Sequence, residues 1–204
     1  MSDELSYKKL ENFFYQRELL NVARGLLGKV IVKADGNKIL AGKIVEVEAY
    51  HGDFDQAAHS YGGLTKRNEI MFNEGGYLYV YFTYGAHHCC NVVTGKKGQG
   101  TAVLIRAVEP VSGIDVMIKN RFGRKLKNDK EIFNLTSGPG KVCKAFSIDR
   151  SHSGSDLTGE NIFILDGRRI QKKEIGISKR VGITRSTDLP WRFFIKNNPY
   201  LSRK

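Results

Sequence analysis

The run Ile44-Val-Glu-Val-Glu-Ala-Tyr50 alternates apolar and polar residues so regularly that it constrains this chain more than any other stretch, because alternation of that kind is the signature of a β-strand. Successive strand side chains point to opposite faces, so Val45, Val47 and Ala49 make one apolar face while Glu46, Glu48 and Tyr50 line the other. Any fold that includes this strand must bury the first face and find a setting for two carboxylates and a phenol on the second. Gly52, Asp53 and Asp55 follow as a turn signal that can bring His59 back toward the acidic face. A carboxylate and an imidazole that converge can hold and deprotonate a water, as a general base does in hydrolysis. The same residues also fit a half-exposed strand whose polar side faces solvent.

The neighbouring sequence supplies a sheet for this strand to join. Lys29 to Lys33 and Ile39 to Tyr50 read as two arms of a hairpin around Ala-Asp-Gly-Asn, since Asp-Gly tolerates positive φ. Tyr77 to Tyr84 is dense in aromatics, with Tyr77, Tyr79, Tyr81 and Thr83 on one face; Gly85 then marks a tip beside Tyr84, and a return strand runs through Asn91 to Thr94. Thr101 to Val108, Ile162 to Leu165, Ile175 to Ile183 and Trp191 to Ile195 complete the strand candidates. Helices are expected over Asn12 to Leu27, with Gly28 as its stop, over Ser112 to Asn120, and after Leu135, where Thr136 or Ser137 can cap and Pro139 suits the first turn. The expected architecture is α+β: one compact domain over residues 1–204, with a central, mainly antiparallel curved sheet, flanking helices and a protruding hairpin.

Charge narrows the class of partner. Thirty-three Lys and Arg against twenty-one Asp and Glu leave a net +12, and from Arg168 to Lys204 eleven basic residues face only Glu174 and Asp188. Such a surplus suits a polyanion such as nucleic acid, although it also serves solubility. Tyrosines on a strand face are core in most proteins, but bases stack on aromatic faces and a side chain at a hairpin tip can wedge between base steps. Lys66, Arg67 and Asn68 lie in a Gly-containing loop suited to phosphate oxygens, and the Gly-rich turn before Lys141 exposes backbone N–H groups to an anion without the spacing of a nucleotide P-loop. Arg106, within an apolar strand, fits a surface charge, an ion-pair partner of Glu46 or Glu109, or a phosphate ligand.

Cys89, Cys90 and Cys143 do not make a disulfide framework and suit a reducing compartment. His87-His88-Cys89-Cys90 is set aside as a metal site, since neighbours on a strand face opposite sides and zinc ligands are spaced more widely. No apolar run is long enough to span a bilayer and no secretory pattern opens the sequence, so an intracellular location, cytoplasmic or at the nucleoid in a bacterium, is expected, with no membrane partner.

Taken in order, Leu-Leu-Gly-Lys near residue 28, Ile-Val-Glu-Val-Glu-Ala-Tyr, Ala-Ala-His-Ser, Arg67-Asn68, Tyr-Val-Tyr-Phe-Thr-Tyr-Gly, Asn91, Leu-Ile-Arg-Ala-Val-Glu-Pro, Ser-Gly-Pro-Gly-Lys, Arg180-Val-Gly-Ile and Pro-Trp-Arg-Phe run nearly end to end. Together they resemble the alkyladenine (3-methyladenine) DNA glycosylase family. The resemblance implies a monomer that excises alkylated or deaminated purines from double-stranded DNA without metal or cofactor. It implies that Glu48 activates the attacking water, that His59 helps hold it, and that Arg106 stands beside the site. It further implies that Tyr81, with His59 and Tyr50, sandwiches the flipped base, that Asn91 disfavours the 2-amino group of guanine, and that Tyr84 fills the duplex from the minor-groove side. Arg67, Asn68 and Lys141 are the remaining DNA contacts expected. Many relatives carry methionine after the Tyr-Gly of the wedge, where this chain has Ala86.

Three rival readings have discriminators. An inert nucleic-acid binder has no use for Glu48 facing a phosphate-rich ligand. A sugar hydrolase using Glu46 and Glu48 sits poorly with the +12 charge. A glycosylase with lyase activity needs a pocket lysine for its Schiff base, and the proposed pocket stretch has none.

Overall fold

The computed structural model describes residues 8–36, 38–83 and 85–203. Among these residues, eight strands form one sheet whose pairings are all antiparallel: β1 (Val30–Asp35), β2 (Lys38–Tyr50), β3 (Leu78–Thr83), β4 (His87–Thr94), β5 (Thr101–Ser112), β6 (Ile162–Leu165), β7 (Ile175–Ser178) and β8 (Arg192–Ile195). The main path runs β3-β4-β5-β2-β1-β6.

β2 organises the sheet. One edge pairs with β5 along most of its length, while the other is shared, first with β1 as far as Lys43 and then with β8 from Glu46 to Glu48. The change of partner follows from Gly28, whose φ of 82° turns the chain off the sheet just before β1; a Cβ there would lie 2.4 Å from the Arg168 carbonyl oxygen. The edge thus vacated is open to β8. Both faces of β2 are covered, and Glu46 and Glu48 have no exposed surface, so the half-exposed strand is excluded.

Two irregularities flank Glu46. Val45 is an extra residue in β2 between the pairs Ile44↔Val108 and Glu46↔Ala107, and Arg106 is an extra residue in β5 between Glu46↔Ala107 and Val47↔Ile105. Bulges re-aim side chains, and this one points a guanidinium at the two carboxylates.

The helices pack on this frame. The single helix expected over Asn12 to Leu27 is broken into α1 (Asn12–Tyr15) and α2 (Leu19–Leu26). The Tyr15 carbonyl, which would accept from Leu19 in a continuous helix, instead accepts the Gly95 N–H at 2.9 Å, and Glu18 restarts the helix as a cap accepting from the Asn21 N–H. α3 (Ile114–Phe122) runs between Gly113 and Gly123, both left-handed. α4 (Pro139–Phe146) buries Val142, Cys143, Ala145 and Phe146 against β4 and β5, with Pro139 in its first turn as expected. The side-chain cap does not form: Thr136 donates its hydroxyl to the Val108 carbonyl at 2.6 Å, and Ser137 bridges to Ala107. β7 ends at Ser178 rather than Ile183, and the freed residues form a loop over the acidic face of β2.

Candidate active site

The last turn of β2, the bulge in β5, the aromatic face of β3 and two loops enclose a cavity of about 500 Å³. That volume suits a small ring system. Tyr50, His59, Tyr79, Tyr81, Asn91, Leu104 and Arg106 contribute to its wall, together with the loop Val181–Arg185.

Glu48 stands directly behind that wall. Its Oε1 accepts the Val181 backbone N–H at 2.7 Å, and its Oε2 accepts the Tyr50 hydroxyl at 2.8 Å and Arg106 Nη1 at 3.2 Å. All three donors belong to residues that line the cavity. Burying a carboxylate is costly unless its lone pairs are met, and here charged, phenolic and backbone donors meet them. Burial, reinforced by the adjoining carboxylate, holds the Tyr50 phenol far above the usual tyrosine range, so it serves as a neutral donor.

Arg106 joins the two glutamates. Its Nε donates to Glu46 Oε1 at 3.0 Å, while Glu109 pairs instead with Lys43. Burial works to lower the Arg106 pKa, but Glu48 and Glu46 outweigh it and raise the value. Glu46 is also fully buried; Arg192 Nε reaches it at 2.7 Å, and Ser202 donates both its backbone N–H and its hydroxyl at 2.6 Å. Glu46 is thus an anchoring carboxylate, shared between Arg106 of the wall and Arg192 and Ser202 behind it, whereas all three donors to Glu48 come from the cavity wall.

The turn after β2 brings His59 to the mouth, as its glycine and aspartates suggest. Asn68 fixes this loop: its amide N–H groups donate to the carbonyls of His59 at 2.8 Å and Gly63 at 3.0 Å, and its Oδ1 accepts the Thr65 N–H at 2.6 Å. The expected phosphate contact by Asn68 is therefore replaced by a loop-holding role, because its donors and acceptor are engaged and the residue is buried. His59 Nδ1 is hydrogen-bonded to the Tyr79 hydroxyl at 3.1 Å. Desolvation beside these rings, with a smaller push from Arg67, lowers the imidazole pKa.

The His59 and Tyr81 ring centres are 4.3 Å apart at 73°, so no base fits between those two rings as they stand. A base sandwiched by stacking needs about 7 Å, twice a contact distance. The bond to Tyr79 draws His59 edge-on to Tyr81. The two rings lie against each other in a cavity wall that also includes Tyr50, Leu104 and the Val181–Arg185 loop. Asn91 faces the cavity with its amide donating to the Tyr79 carbonyl at 3.2 Å. Alternation along β4 sends Cys89 toward the cavity and Cys90 into the core. Among the described residues no group of three or more His, Cys, Asp or Glu is placed to hold a metal ion.

Two residues to which the sequence assigned no part in the site support it from behind. Arg180 is sandwiched between Tyr50 and Trp191, its guanidinium carbon 4.6 Å and 5.7 Å from the ring centres, and it forms a two-pronged ion pair with buried Asp55. It also donates to the carbonyls of Ala49 at 2.9 Å and Ser186 at 3.2 Å, tying the strand end to the loop that carries Val181. The sequence marks Asp55 only as a turn former; its position between the strand end and His59 is the available signal.

Of the expected DNA contacts, Arg67 is exposed on the His59 loop. Lys141 lies away from the base-sized cavity, in a second hollow of about 790 Å³ shared with His87, Arg121 and Lys144. Its ammonium reaches the side chains of Asn134 and Ser137. Tyr84, the expected wedge, lies outside the described residues. No helix among the described residues is long and apolar enough to cross a membrane.

Comparison with known proteins accords with this geometry. The family model described as methylpurine-DNA glycosylase matches residues 13–199. A protein of Alkaliphilus oremlandii is 49% identical over 203 residues, covering 96% of this chain and 100% of the relative. One of Clostridium novyi is 47% identical over 203 residues, with 97% and 100% covered. One of Carboxydothermus hydrogenoformans is 48% identical over 192 residues, with 94% and 97% covered. Each of the three is named "Putative 3-methyladenine DNA glycosylase".

Proposed function

The chain belongs to the methylpurine-DNA glycosylase family, and from that premise we propose that it is a monofunctional enzyme of base excision repair. It hydrolyses the N-glycosidic bond of alkylated or deaminated purines, such as 3-methyladenine, 7-methylguanine and hypoxanthine, and leaves an abasic site. The observation that carries this reading is Glu48, a carboxylate with no exposed surface held by three donors against the wall of an aromatic cavity.

A base within a duplex does not present its glycosidic bond to water, so it is extruded, at a cost of a few kcal/mol that is least for damaged or mispaired bases. Tyr81 and Tyr50 offer stacking faces, and a cationic alkylated purine gains most from them. Tyr84 takes the duplex position left open, from the minor-groove side. Glu48 Oε1 carries one donor, which leaves an acceptor position for the attacking water. As C1′ gains positive charge, the same carboxylate stabilises it through the low-dielectric interior. His59, kept neutral by its surroundings, can accept from that water or orient it. No lysine lines the cavity among the described residues, which favours hydrolysis over a Schiff base. The protein works as a monomer on double-stranded DNA, with Arg67 and Lys141 meeting the backbone.

The alternative, a non-catalytic nucleic-acid binder, leaves the buried carboxylate without a purpose. The test is a labelled duplex with one hypoxanthine, incubated with protein and then with or without hot alkali, beside Glu48→Gln and an undamaged duplex. Alkali-dependent cleavage that drops at least about a hundredfold in the variant is expected. Full activity in the variant would remove Glu48 from the centre of the reaction, and no cleavage here or on a methylated duplex would favour the binder.

A further inference from the structure

Arg106 grips Glu48 with one nitrogen only, so what holds the rest of the guanidinium decides where that nitrogen points. Its Nε lies 3.0 Å from Glu46 Oε1 and 3.3 Å from Ser202 Oγ, and its Nη2 lies 3.1 Å from the same hydroxyl. Ser202 in turn donates its hydroxyl to Glu46 Oε1 and its backbone N–H to Glu46 Oε2, each at 2.6 Å. The segment is tied down once more where Arg192 Nη2 donates to the Arg203 carbonyl at 2.5 Å. A guanidinium is a rigid planar fork, so pinning Nε and Nη2 along one edge fixes the direction of Nη1. That direction is toward Glu48 Oε2, 3.2 Å away.

We propose that Ser202 is a positioning residue for base excision, locking Glu46 and the outer edge of Arg106 so that Nη1 is presented to Glu48. The inference rests on the glycosylase reading for its effect on rate, but its structural content stands on the contacts alone. Ser202 neither bonds Glu48 nor lines the cavity itself; it acts through Arg106 and Glu46.

The charged groups at Glu46 are Arg106 from β5, Arg192 from β8 and, two residues along its own strand, Glu48. Burial pushes the Glu46 carboxyl up, but the bonds from Arg192 and from the hydroxyl and N–H of Ser202, with the charge of Arg106, outweigh it and hold the value below the usual range. A carboxylate with a depressed folded pKa gives its stabilisation above its unfolded value and loses it as pH falls through the folded one. Removing the Ser202 hydroxyl moves the folded value up, so Glu46 protonates, and Arg106 loses its anchor, at a higher pH than in the native protein.

The test compares the native protein with Ser202→Ala, Ser202→Thr and Ser202→Cys by single-turnover excision of hypoxanthine across the acidic range, and by the ¹H–¹⁵N signal of the Arg106 Nε–H. Ser202→Ala should excise about tenfold more slowly at neutral pH, the scale of one charge-assisted hydrogen bond. Its acid limb should move to higher pH, and the Arg106 Nε–H should exchange faster with solvent. Threonine, which keeps the hydroxyl, should restore all three. Cysteine keeps the volume with a weaker donor and should fall between, which retains the comparison if the alanine protein does not fold. Unchanged rate, acid limb and Arg106 signal in a folded Ser202→Ala would overturn the proposal. If the native protein excises neither hypoxanthine nor methylated purines, the glycosylase reading fails, while the Arg106 signal still decides whether Ser202 positions the guanidinium.

Discussion

Arg180 stands over the ring of Tyr50, its guanidinium carbon 4.6 Å from the ring centre, and the hydroxyl of that same ring bonds Glu48 at 2.8 Å. Its charge is met by Asp55, which has no exposed surface, so a buried ion pair underlies both the aromatic wall and the loop carrying Val181. Through these two links, one guanidinium restrains two of the three donors to the candidate catalytic carboxylate.

That relationship makes Asp55 a test of the support. Asp55→Ala leaves Arg180 buried without its partner, and breaking a buried pair from one side costs about 3–5 kcal/mol. Urea unfolding should register a loss of that order, and excision should slow because Tyr50 and Val181 are less firmly held. A loss below about 1 kcal/mol would mean that water or a neighbour replaces Asp55 at little cost.

His59 should titrate below the ordinary histidine value of 6.5, because burial disfavours the imidazolium and the Arg67 charge adds a smaller push the same way. With its folded value depressed, its neutral form favours the native state above the unfolded pKa, and that contribution declines as pH falls from the unfolded value toward the folded one. An NMR titration of the ring protons should therefore give a midpoint under 6.5, and His59→Gln should make stability less sensitive to mild acid. A midpoint at or above that value would show the imidazole to be better solvated than its contacts indicate.

Asn91 presents an amide to the cavity from β4 while donating to the Tyr79 carbonyl. Replacing it with Ala or Ser should raise the release of guanine from undamaged duplex by about tenfold, the scale of one lost steric or polar discrimination. Heating treated DNA in alkali and counting breaks at guanines measures this directly. An unchanged count would place the discrimination elsewhere in the pocket.

The parts of this molecule set by local periodicity were legible in its sequence. Alternation in Ile44–Tyr50 identified β2 and its acidic face, and Gly85 with the tyrosine run located the β3–β4 hairpin. Tertiary pairing decided the rest. The Tyr15 carbonyl left its helix for Gly95, which no helical pattern records. β7 stopped at Ser178 because Arg180 turns inward to Asp55, a partner 125 residues away. The edge-on setting of His59 against Tyr81, two of the three residues expected to sandwich the base with Tyr50, depended on a ring orientation that the Tyr79 hydroxyl sets. Arg106 was narrowed to three settings by sequence; a bulge, invisible to a pattern of alternation, selected one.

The divided edge of β2 also bears on how the protein is made. Glu48 receives Val181 from 133 positions further along the chain, and Glu46 receives Ser202 from 156 positions further along. Contacts so distant in sequence form late and slowly. A nascent chain that has extruded β1 to β5 from the ribosome already holds both carboxylates, Tyr50, Arg106 and the aromatic hairpin, yet it lacks the strand and loop that complete the acids' donors. Competence to cut a glycosidic bond therefore waits for the segment that carries Val181 and Ser202, and a stalled or proteolysed fragment without it carries the tyrosines of the pocket without the assembled means to damage DNA.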